Sequence, residues 1–215
     1  NHLLSAGIDI VWRRRTIDGL CPAPGWCILD LATGTGDLGF EAADRHAEIR
    51  VVGVDLSIPM LQRGARKAGT RPGRTAFLCG DAERLPFPDR MFEGVTIGFG
   101  IRNLVDLNTG LGEMYRVLRS DGRLAVLEFS RPRVFLLRVL YLFYFKNILP
   151  LIGRIVSRDP YAYRYLYESV MRFPEGADFC RHLLDTGFVD VVERRLTFGI
   201  ATLYLASKPV DEVRE

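Results

Sequence analysis

The stretch Asp30-Leu31-Ala32-Thr33-Gly34-Thr35-Gly36-Asp37 decides the fold of this chain, because it joins a short apolar run to a glycine-rich turn. The run, residues 26–31, is typical of a strand that is buried on both faces of a parallel sheet. Gly34 and Gly36 lack a Cβ and tolerate a positive φ, so the backbone can approach a ligand closely. A helix that begins near Asp37 would present free N–H groups and a positive dipole end to that ligand. The stretch therefore predicts a strand-turn-helix unit that binds a pyrophosphate or the carboxylate of an amino acid.

Strands and helices alternate on both sides of this unit. The predicted helices are 11–20, one from about residue 37, 59–68 and about 108–118. The predicted strands are 26–31, 50–55, 75–79, 92–97, 123–129, 188–194 and 200–207, and a Ser-Asp-Gly turn at 120–122 precedes the fifth of them. Strands separated by helices imply a parallel, doubly wound sheet, whereas the last two are expected to pair antiparallel at one edge. The length of 215 residues suits one domain over 1–215, with an N-terminal helical entry at 1–24.

The composition narrows the class of protein. Hydrophobic residues make up 48% and charged residues 26%, which is ordinary for a soluble globular protein. The four cysteines form no C-x-x-C pair, which favours reduced thiols in the cytoplasm over a disulfide framework or a zinc site. Because none of the three histidines lies at metal-ligand spacing from another, no metal is predicted. No nucleic-acid partner is expected either.

An acid lies at the carboxyl end of each of the first three predicted strands: Asp30, Asp55 and Asp81. In open α/β sheets, ligands bind at the carboxyl ends of the strands. At Asp30, directly before the glycine turn, a carboxylate can meet an α-ammonium group, whereas it would repel the pyrophosphate of NAD. Asp55 is placed to accept hydrogen bonds from both ribose hydroxyls, and Asp81, followed by Ala82, to accept one from an adenine amino group. Together these acids favour S-adenosylmethionine as the ligand.

The same residues leave alternatives open. Gly34, Gly36 and Gly39 satisfy G-x-G-x-x-G, and Asp55 follows Gly34 by 21 residues, as a dinucleotide-binding fold also predicts. An NAD-dependent oxidoreductase is therefore an alternative from another class. In the alternative without a ligand, the glycines only permit a tight turn. Asp55 would then cap the next helix, and Asp81 would form a turn.

Seven segments carry a resemblance that covers nearly the whole chain. They are 1–8 with Trp12-Arg13, 30–37, 81–89, 98–103, 115–118, 126–130 and 162–169. In these segments the chain resembles the ubiquinone/menaquinone biosynthesis C-methyltransferase family, of the demethylmenaquinone methyltransferase type. The most specific are Phe99-Gly100-Ile101-Arg102-Asn103 and Tyr163-Arg164-Tyr165-Leu166. The resemblance implies a class I S-adenosylmethionine-dependent methyltransferase fold, with a Rossmann-like sheet, an antiparallel edge strand and a helical lid insertion.

The resemblance also implies cofactor contacts at Thr35, Asp55, Asp81 and Ala82, in agreement with the placement argued from the strand ends. The full predicted cofactor site consists of Asp30, Gly34, Thr35, Gly36, Asp55, Leu56, Asp81, Ala82 and Gly98. The family usually has Ser at position 98, so only a backbone contact is carried over to Gly98. The family often has His where this chain has Tyr204, which weakens any acid–base role at that position.

Methylation of a quinol ring carbon needs a base, or a cation that stabilises the phenolate beside that carbon. Arg102, after the fourth strand, is the candidate catalytic cation, because a nearby arginine lowers the pKa of a phenol. Alternatively, Arg102 only pairs with an acid such as Asp106. Asn103 orients a hydroxyl or caps its turn, while Tyr163 and Tyr167 bind quinol hydroxyls or belong to the core.

A basic, apolar segment interrupts the α/β pattern. From Arg131 to Arg164 seven arginines and lysines face one aspartate, a net charge of +6. Charges at bilayer depth cost about 2.5–3.5 kcal/mol each, so a transmembrane helix is not predicted. We expect residues 131–172 to form a helical lid that contacts the polyprenyl substrate and the inner face of the membrane, or else only covers the core.

The leading hypothesis is an S-adenosylmethionine-dependent C-methyltransferase acting on a reduced polyprenyl quinone. Demethylmenaquinol is preferred as the substrate, and the polyprenyl benzoquinol of ubiquinone synthesis is the alternative. A fold without catalytic activity, kept for binding, is a further alternative, and an oligomer is left open.

Overall fold

The computed structural model of the chain describes residues 7–69, 74–132 and 160–211, without the side chains of 160–164. Six helices lie in these ranges: α1 Ile8–Leu20, α2 Asp37–Arg45, α3 Ile58–Ala68, α4 Leu107–Val117, α5 Pro160–Arg172 and α6 Ala177–Thr186. Seven strands accompany them: β1 Cys27–Leu31, β2 Arg50–Asp55, β3 Thr75–Cys79, β4 Phe92–Gly98, β5 Leu118–Phe129, β6 Val189–Leu196 and β7 Ala201–Ser207. Two short 3₁₀ turns, Ile101–Asn103 and Thr197–Gly199, follow β4 and β6.

All seven strands form one sheet in the order β3-β2-β1-β4-β5-β7-β6. The strands β1 to β5 pair parallel, and β7 pairs antiparallel with both β5 and β6. The predicted doubly wound sheet with its antiparallel C-terminal pair is therefore confirmed. The antiparallel strand β7 itself lies one position inside the edge, and β6 forms the edge.

The fifth strand begins earlier than the sequence predicts. Leu118 already pairs with Phe92, and the next register pair joins Arg123 to Gly94, so residues 119–122 form an irregularity within β5. Asp121 adopts a left-handed φ of 62° there. Its N–H donates to the Lys208 carbonyl 3.1 Å away, so the chain beyond β7 holds the expected turn inside the strand.

Both faces of the sheet are covered, which explains the near-continuous apolar runs of its central strands. On one face, α1 and α2 pack over β1, β5 and β7 through residues that include Trp12, Ile17, Leu38 and Leu203. On the other, α4 and α6 cover β4 and β5 through residues that include Leu111, Met114, Phe179 and Leu183. The layered core leaves the carboxyl ends of β1 to β5 at one edge, where the loops that carry the predicted site residues lie.

No helix among the described residues is long and apolar enough to cross a membrane. Of the expected lid at 131–172, α5 is a helix, whereas residues 133–159 lie outside the described residues.

Candidate active site

The glycine turn after β1 leaves open space at one of its two glycines. Gly34 and Gly36 have left-handed φ values of 58° and 84°. A Cβ on Gly34 would meet nothing within 4 Å, whereas a Cβ on Gly36 would lie 2.8 Å from Phe77 and 2.9 Å from Phe40. Gly36 is also the N-cap of α2, and no side chain caps that helix. The turn therefore packs tightly at Gly36, is open at Gly34, and leads into a helix N-terminus without a side-chain cap.

The carboxylate of Asp30 is turned into the protein. Only 1% of the residue is exposed, and its oxygens accept hydrogen bonds from Thr33 Oγ1 at 2.5 Å and Thr96 Oγ1 at 2.7 Å. Burial raises the pKa of Asp30 to about 6, although these hydroxyls and the Gly39 N–H favour the charged form. Asp30 thus stabilises the glycine turn through its hydrogen bond with Thr33. Its expected contact with an α-ammonium group stays a prediction.

Asp55 links the ends of β1 and β2. One carboxylate oxygen accepts the Gly34 N–H and the other the Ser57 N–H, each at 2.8 Å. The bond to Ser57 is what the alternative role of Asp55, as a cap of the next helix, would require, because α3 begins at the residue after Ser57. A carboxylate has about four lone-pair sites, so two backbone bonds leave capacity for ribose hydroxyls. The next residue, Leu56, is 70% exposed.

A lysine from α3 reaches the predicted cofactor residue Thr35. Lys67 Nζ lies 2.8 Å from Thr35 Oγ1 and 2.8 Å from Asp37 Oδ1. Arg13 of α1 also approaches Asp37, at 3.7 Å. These cations lower the pKa of Asp37 and outweigh its partial burial. Three helices therefore hold the second half of the glycine turn.

The turn after β3 is held by its own acids. Asp81 is exposed, and its Oδ1 accepts the Glu83 N–H at 2.9 Å, which matches the turn-forming alternative. Ala82 is buried. The Glu83 carboxylate accepts the N–H groups of Val105 and Asp106 at 2.6 and 3.1 Å, and so ties this turn to the loop after β4.

The loop after β4 lies against the glycine turn. A Cβ on Gly100 would collide with the Cβ of Ala32, and one on Gly98 would lie 3.1 Å from Leu38 Cδ2. Phe99, between the two glycines, has a left-handed φ of 57°, which is uncommon for a large side chain. The cofactor turn and the segment that leads to Arg102 are therefore direct neighbours.

Arg102 pairs with an acid, but not with Asp106. Its Nη1 donates to Glu128 Oε1 at 2.6 Å and to the Phe99 carbonyl at 2.5 Å, and its guanidinium lies 5.5 Å from the centre of the Phe129 ring. Asp106 instead caps α4 by accepting the N–H groups of the first turn. Arg102 thus pairs with an acid, as the alternative expects, but the acid is Glu128 and not the named example Asp106, because local capping engages the Asp106 carboxylate.

The helix α5 contacts the turn that carries Arg102. Tyr165 is 54% exposed, and its hydroxyl lies 3.2 Å from Asn103 Oδ1. Tyr167 is partly buried, and the side chain of Tyr163 lies outside the described residues. Sequence reasoning missed Tyr165, although it lies between the two predicted tyrosines.

Tyr204 has a structural environment. It is 1% exposed, its hydroxyl accepts the Gly176 N–H at 2.7 Å, and burial raises its pKa to about 12. Its ring packs on Phe179, with 4.7 Å between the ring centres. The hydroxyl of Tyr204 therefore has a partner within the core, and the expected weakening of an acid–base role at this position stays a prediction.

The chain matches known proteins over nearly its full length. A model of the ubiE/COQ5 methyltransferase family matches residues 1–208. The ubiquinone/menaquinone biosynthesis C-methyltransferase UbiE of Geotalea uraniireducens is 46% identical over 97% of this chain and 89% of its own length. The demethylmenaquinone methyltransferase of Thermus thermophilus is 44% identical over 97% of this chain and 94% of its own.

Solved structures share the fold at low sequence identity. Phosphoethanolamine N-methyltransferase 2 of Haemonchus contortus, in complex with S-adenosyl-L-methionine, superposes with a TM-score of 0.69 at 16% identity, over 92% of this chain and 52% of that one. An S-adenosylmethionine-dependent methyltransferase of Thermotoga maritima gives a TM-score of 0.67 at 18% identity, over 96% of this chain and 92% of that one. The fold is that of class I methyltransferases, and the family match replaces the alternative of an NAD-dependent oxidoreductase. The chain belongs to the ubiE/COQ5 methyltransferase family and is an S-adenosylmethionine-dependent methyltransferase.

Proposed function

We propose that this enzyme C-methylates a reduced polyprenyl quinone, with demethylmenaquinol as the preferred substrate. The observation that carries the proposal is a partly buried arginine, Arg102, in the loop packed against the glycine turn. An arginine at this place is suited to a phenolic substrate, because it stabilises the phenolate that makes the neighbouring ring carbon nucleophilic. The relatives named UbiE and demethylmenaquinone methyltransferase support the same substrate class.

The residues after β1, β2 and β3 fit S-adenosylmethionine. The open space at Gly34 admits a ligand beside the turn, and the N-terminus of α2, which no side chain caps, suits a carboxylate. Asp55 has lone pairs left for the ribose hydroxyls, and the exposed Asp81 has them for the adenine amino group. Bound there, the cofactor supplies a methyl group on a positively charged sulfur.

Residues on the other side of the glycine turn bind and orient the quinol. Arginine side chains are cations, so Arg102 would favour loss of the proton from a hydroxyl that it contacts. Asn103 and Tyr165 are joined by their hydrogen bond, and both are exposed enough to exchange that bond for one to a quinol hydroxyl. Tyr163 and Tyr167, two residues to either side of Tyr165 in the sequence, are proposed as further contacts of the quinol hydroxyls.

The ring is assigned as a naphthoquinol rather than a benzoquinol from the names of the relatives alone. The basic and apolar segment 131–164 supports contact with the cytoplasmic face of the membrane, from which a polyprenyl substrate would be taken. Sedimentation with anionic and with neutral phospholipid vesicles tests this contact. Binding that does not depend on the anionic lipid would contradict the electrostatic part of the inference.

The deciding experiment offers radiolabelled S-adenosylmethionine with chemically reduced demethylmenaquinone and, in parallel, with the corresponding benzoquinol. We expect label in the quinone fraction with the naphthoquinol, and much less with the benzoquinol. Oxidised quinones are the control, because a quinone without a hydroxyl cannot form a phenolate. Transfer to the benzoquinol alone would reverse the ring assignment. Cofactor binding without transfer to either quinol would refute the proposed function.

A further inference from the structure

Glu128 is an acid buried in the middle of the molecule, near the end of β5. It is fully buried, and it lies between two apolar neighbours in the sequence, Leu127 and Phe129. Its Oε1 accepts hydrogen bonds from Arg102 Nη1 at 2.6 Å and from the Phe129 N–H at 2.8 Å. Its Oε2 lies 3.4 Å from the backbone nitrogen of Arg102. One carboxylate therefore contacts both the guanidinium and the main chain of the arginine assigned to catalysis.

Three different groups fix the guanidinium of Arg102. The Glu128 carboxylate and the Phe99 carbonyl share Nη1, and the Phe129 ring lies beside the guanidinium carbon. Among the described residues, Arg102 Nε is buried and has no hydrogen-bond partner. A buried N–H without a partner costs free energy. The guanidinium of Arg102 is thus held through Nη1, whereas its Nε–H has no acceptor among the described residues.

The ion pair is difficult to explain as a device for stability. Transferring two charges from water into the interior costs several kcal/mol for each ion, and apolar residues of the same volume often stabilise a protein equally well. Burial raises the pKa of the Glu128 carboxyl, and the guanidinium of Arg102 opposes that rise. The charge of Arg102 is the main electrostatic influence that opposes the effect of burial on this carboxyl. The pair lies beside the loop where the substrate is expected.

We propose that Glu128 is a positioning residue for methyl transfer, which holds the Arg102 guanidinium in the one orientation that meets the quinol hydroxyl. Being fully buried, Glu128 acts only through Arg102. The inference rests on the proposed role of Arg102. A displacement of about 1 Å in a catalytic group can lower turnover about 100-fold, so a loose guanidinium would be seen in kcat.

Two variants of Glu128 separate its geometry from its charge. Glu128→Leu removes both acceptor oxygens at similar volume, and we expect kcat to fall about 100-fold. Glu128→Gln keeps one acceptor oxygen for Nη1 but loses the charge and the second oxygen, so kcat should fall less, by about 5- to 10-fold. The affinity for S-adenosylhomocysteine, measured by calorimetry, should stay within about twofold of the wild-type value, because the hydrogen bonds that Glu128 accepts come from Arg102 and Phe129, which are not assigned to the cofactor.

Glu93 supplies the matched control. It also pairs with an arginine, Arg119, and accepts a backbone N–H, from Cys27 at 2.7 Å. It lies at the amino end of β4, the edge of the sheet opposite the site. Glu93→Leu and Glu93→Gln should lower the melting temperature without lowering kcat. Equal losses of kcat at Glu93 and Glu128 would reduce the role of Glu128 to general stability.

A double variant supplies the readout that a merely structural residue would not move. If Glu128 acts through Arg102, Arg102→Met and Arg102→Met/Glu128→Leu should have the same kcat, within about twofold. Independent, multiplied losses would overturn the proposal, as would a wild-type kcat in Glu128→Leu. If Glu128→Leu does not fold, Glu128→Gln decides alone, and an unchanged kcat refutes the inference. Failure of the wild-type enzyme to methylate any quinol would instead refute the proposed function, so the two outcomes remain distinct.

Discussion

Replacement of the buried carboxyl beside the glycine turn should make the unliganded protein more stable near neutral pH. Asp30 is held by Thr33, Thr96 and the Gly39 N–H, and burial raises its pKa to about 6 from the ordinary value of 3.8. Asp30→Asn preserves the shape of the side chain and removes its charge. Both threonine hydroxyls can rotate to accept from the new NH₂ group, so the hydrogen bonds of the turn survive.

The size of the expected change in the free energy of unfolding follows from the pKa of Asp30. Between about pH 4 and about pH 6 the folded wild-type protein keeps a proton on Asp30 that the unfolded chain has released. The free energy of unfolding of the wild type therefore decreases as the pH rises through this window. A rise of about two pKa units corresponds to about 3 kcal/mol, and the cost is complete above about pH 6. Asp30→Asn lacks this cost, so its stability relative to the wild type should increase by about 3 kcal/mol from pH 4 to pH 7.

Urea denaturation of both proteins at several pH values measures this difference directly. Asp106→Asn is the control. The N–H and hydroxyl of Thr109 and the N–H of Asn108 lower the pKa of Asp106, so its contribution is present above its ordinary pKa and is lost only as the pH falls below it. The stability difference between Asp106→Asn and the wild type should therefore stay nearly constant over most of the range from about pH 4 to about pH 7. If the stability difference between Asp30→Asn and the wild type changes by less than about 0.5 kcal/mol over this range, the reasoning about the buried charge is refuted.

Three further substitutions test the site and its support. Gly100→Ala brings a new Cβ into collision with that of Ala32, so the melting temperature should fall by at least about 4 °C; an unchanged value in differential scanning calorimetry would contradict the contact. Tyr204→Phe leaves the Gly176 N–H without its acceptor and should cost about 1–3 kcal/mol in urea denaturation with kcat unchanged, whereas a loss of kcat would give the hydroxyl a catalytic part. Asp55→Ala removes the acceptor of two backbone N–H groups and the expected ribose acceptor, so calorimetry should show at least about tenfold weaker binding of S-adenosylhomocysteine; unaltered affinity would remove Asp55 from the cofactor site.

The strands were predictable because their signals are local. The bounds predicted for β2 and β3, 50–55 and 75–79, are those of the structure. Each strand is a short run rich in β-forming residues, and turn-forming residues follow it in the sequence. The start of β5 was not predictable in the same way. Its irregularity is held by the main chain at Lys208, which lies far away in the sequence, so the Ser-Asp-Gly signal could indicate a turn but not its place inside a strand.

The side-chain partners within the site were less accessible to sequence reasoning. Asp106 lies four residues after Arg102 and was the obvious acid, but the partner is Glu128, which only the pairing of β4 with β5 brings near. In the sequence, Glu128 is a single acid within an apolar strand. Such an acid indicates that a cation is paired with it in the interior, but the sequence does not show which cation. Tyr165 was missed because the spacing of Tyr163 and Tyr167 places those two on one helix face, and Tyr165 on another.

The helix α1 packs against the hairpin formed by β6 and β7, near the other end of the described residues. Trp12 Nε1 donates to Thr197 Oγ1 at 2.8 Å across a separation of 185 residues, and the Trp12 ring packs against Phe99 and Phe129 beside the arginine loop. During synthesis α1 is made before the strands that it covers, and the surface under it is finished only when β7 has been made. The buried side chains of α1, Trp12 and Ile17 among them, therefore lack their partners until then. At about 5–20 residues per second this wait lasts about 10–40 seconds, a period in which a chaperone that binds exposed apolar helices would find its substrate.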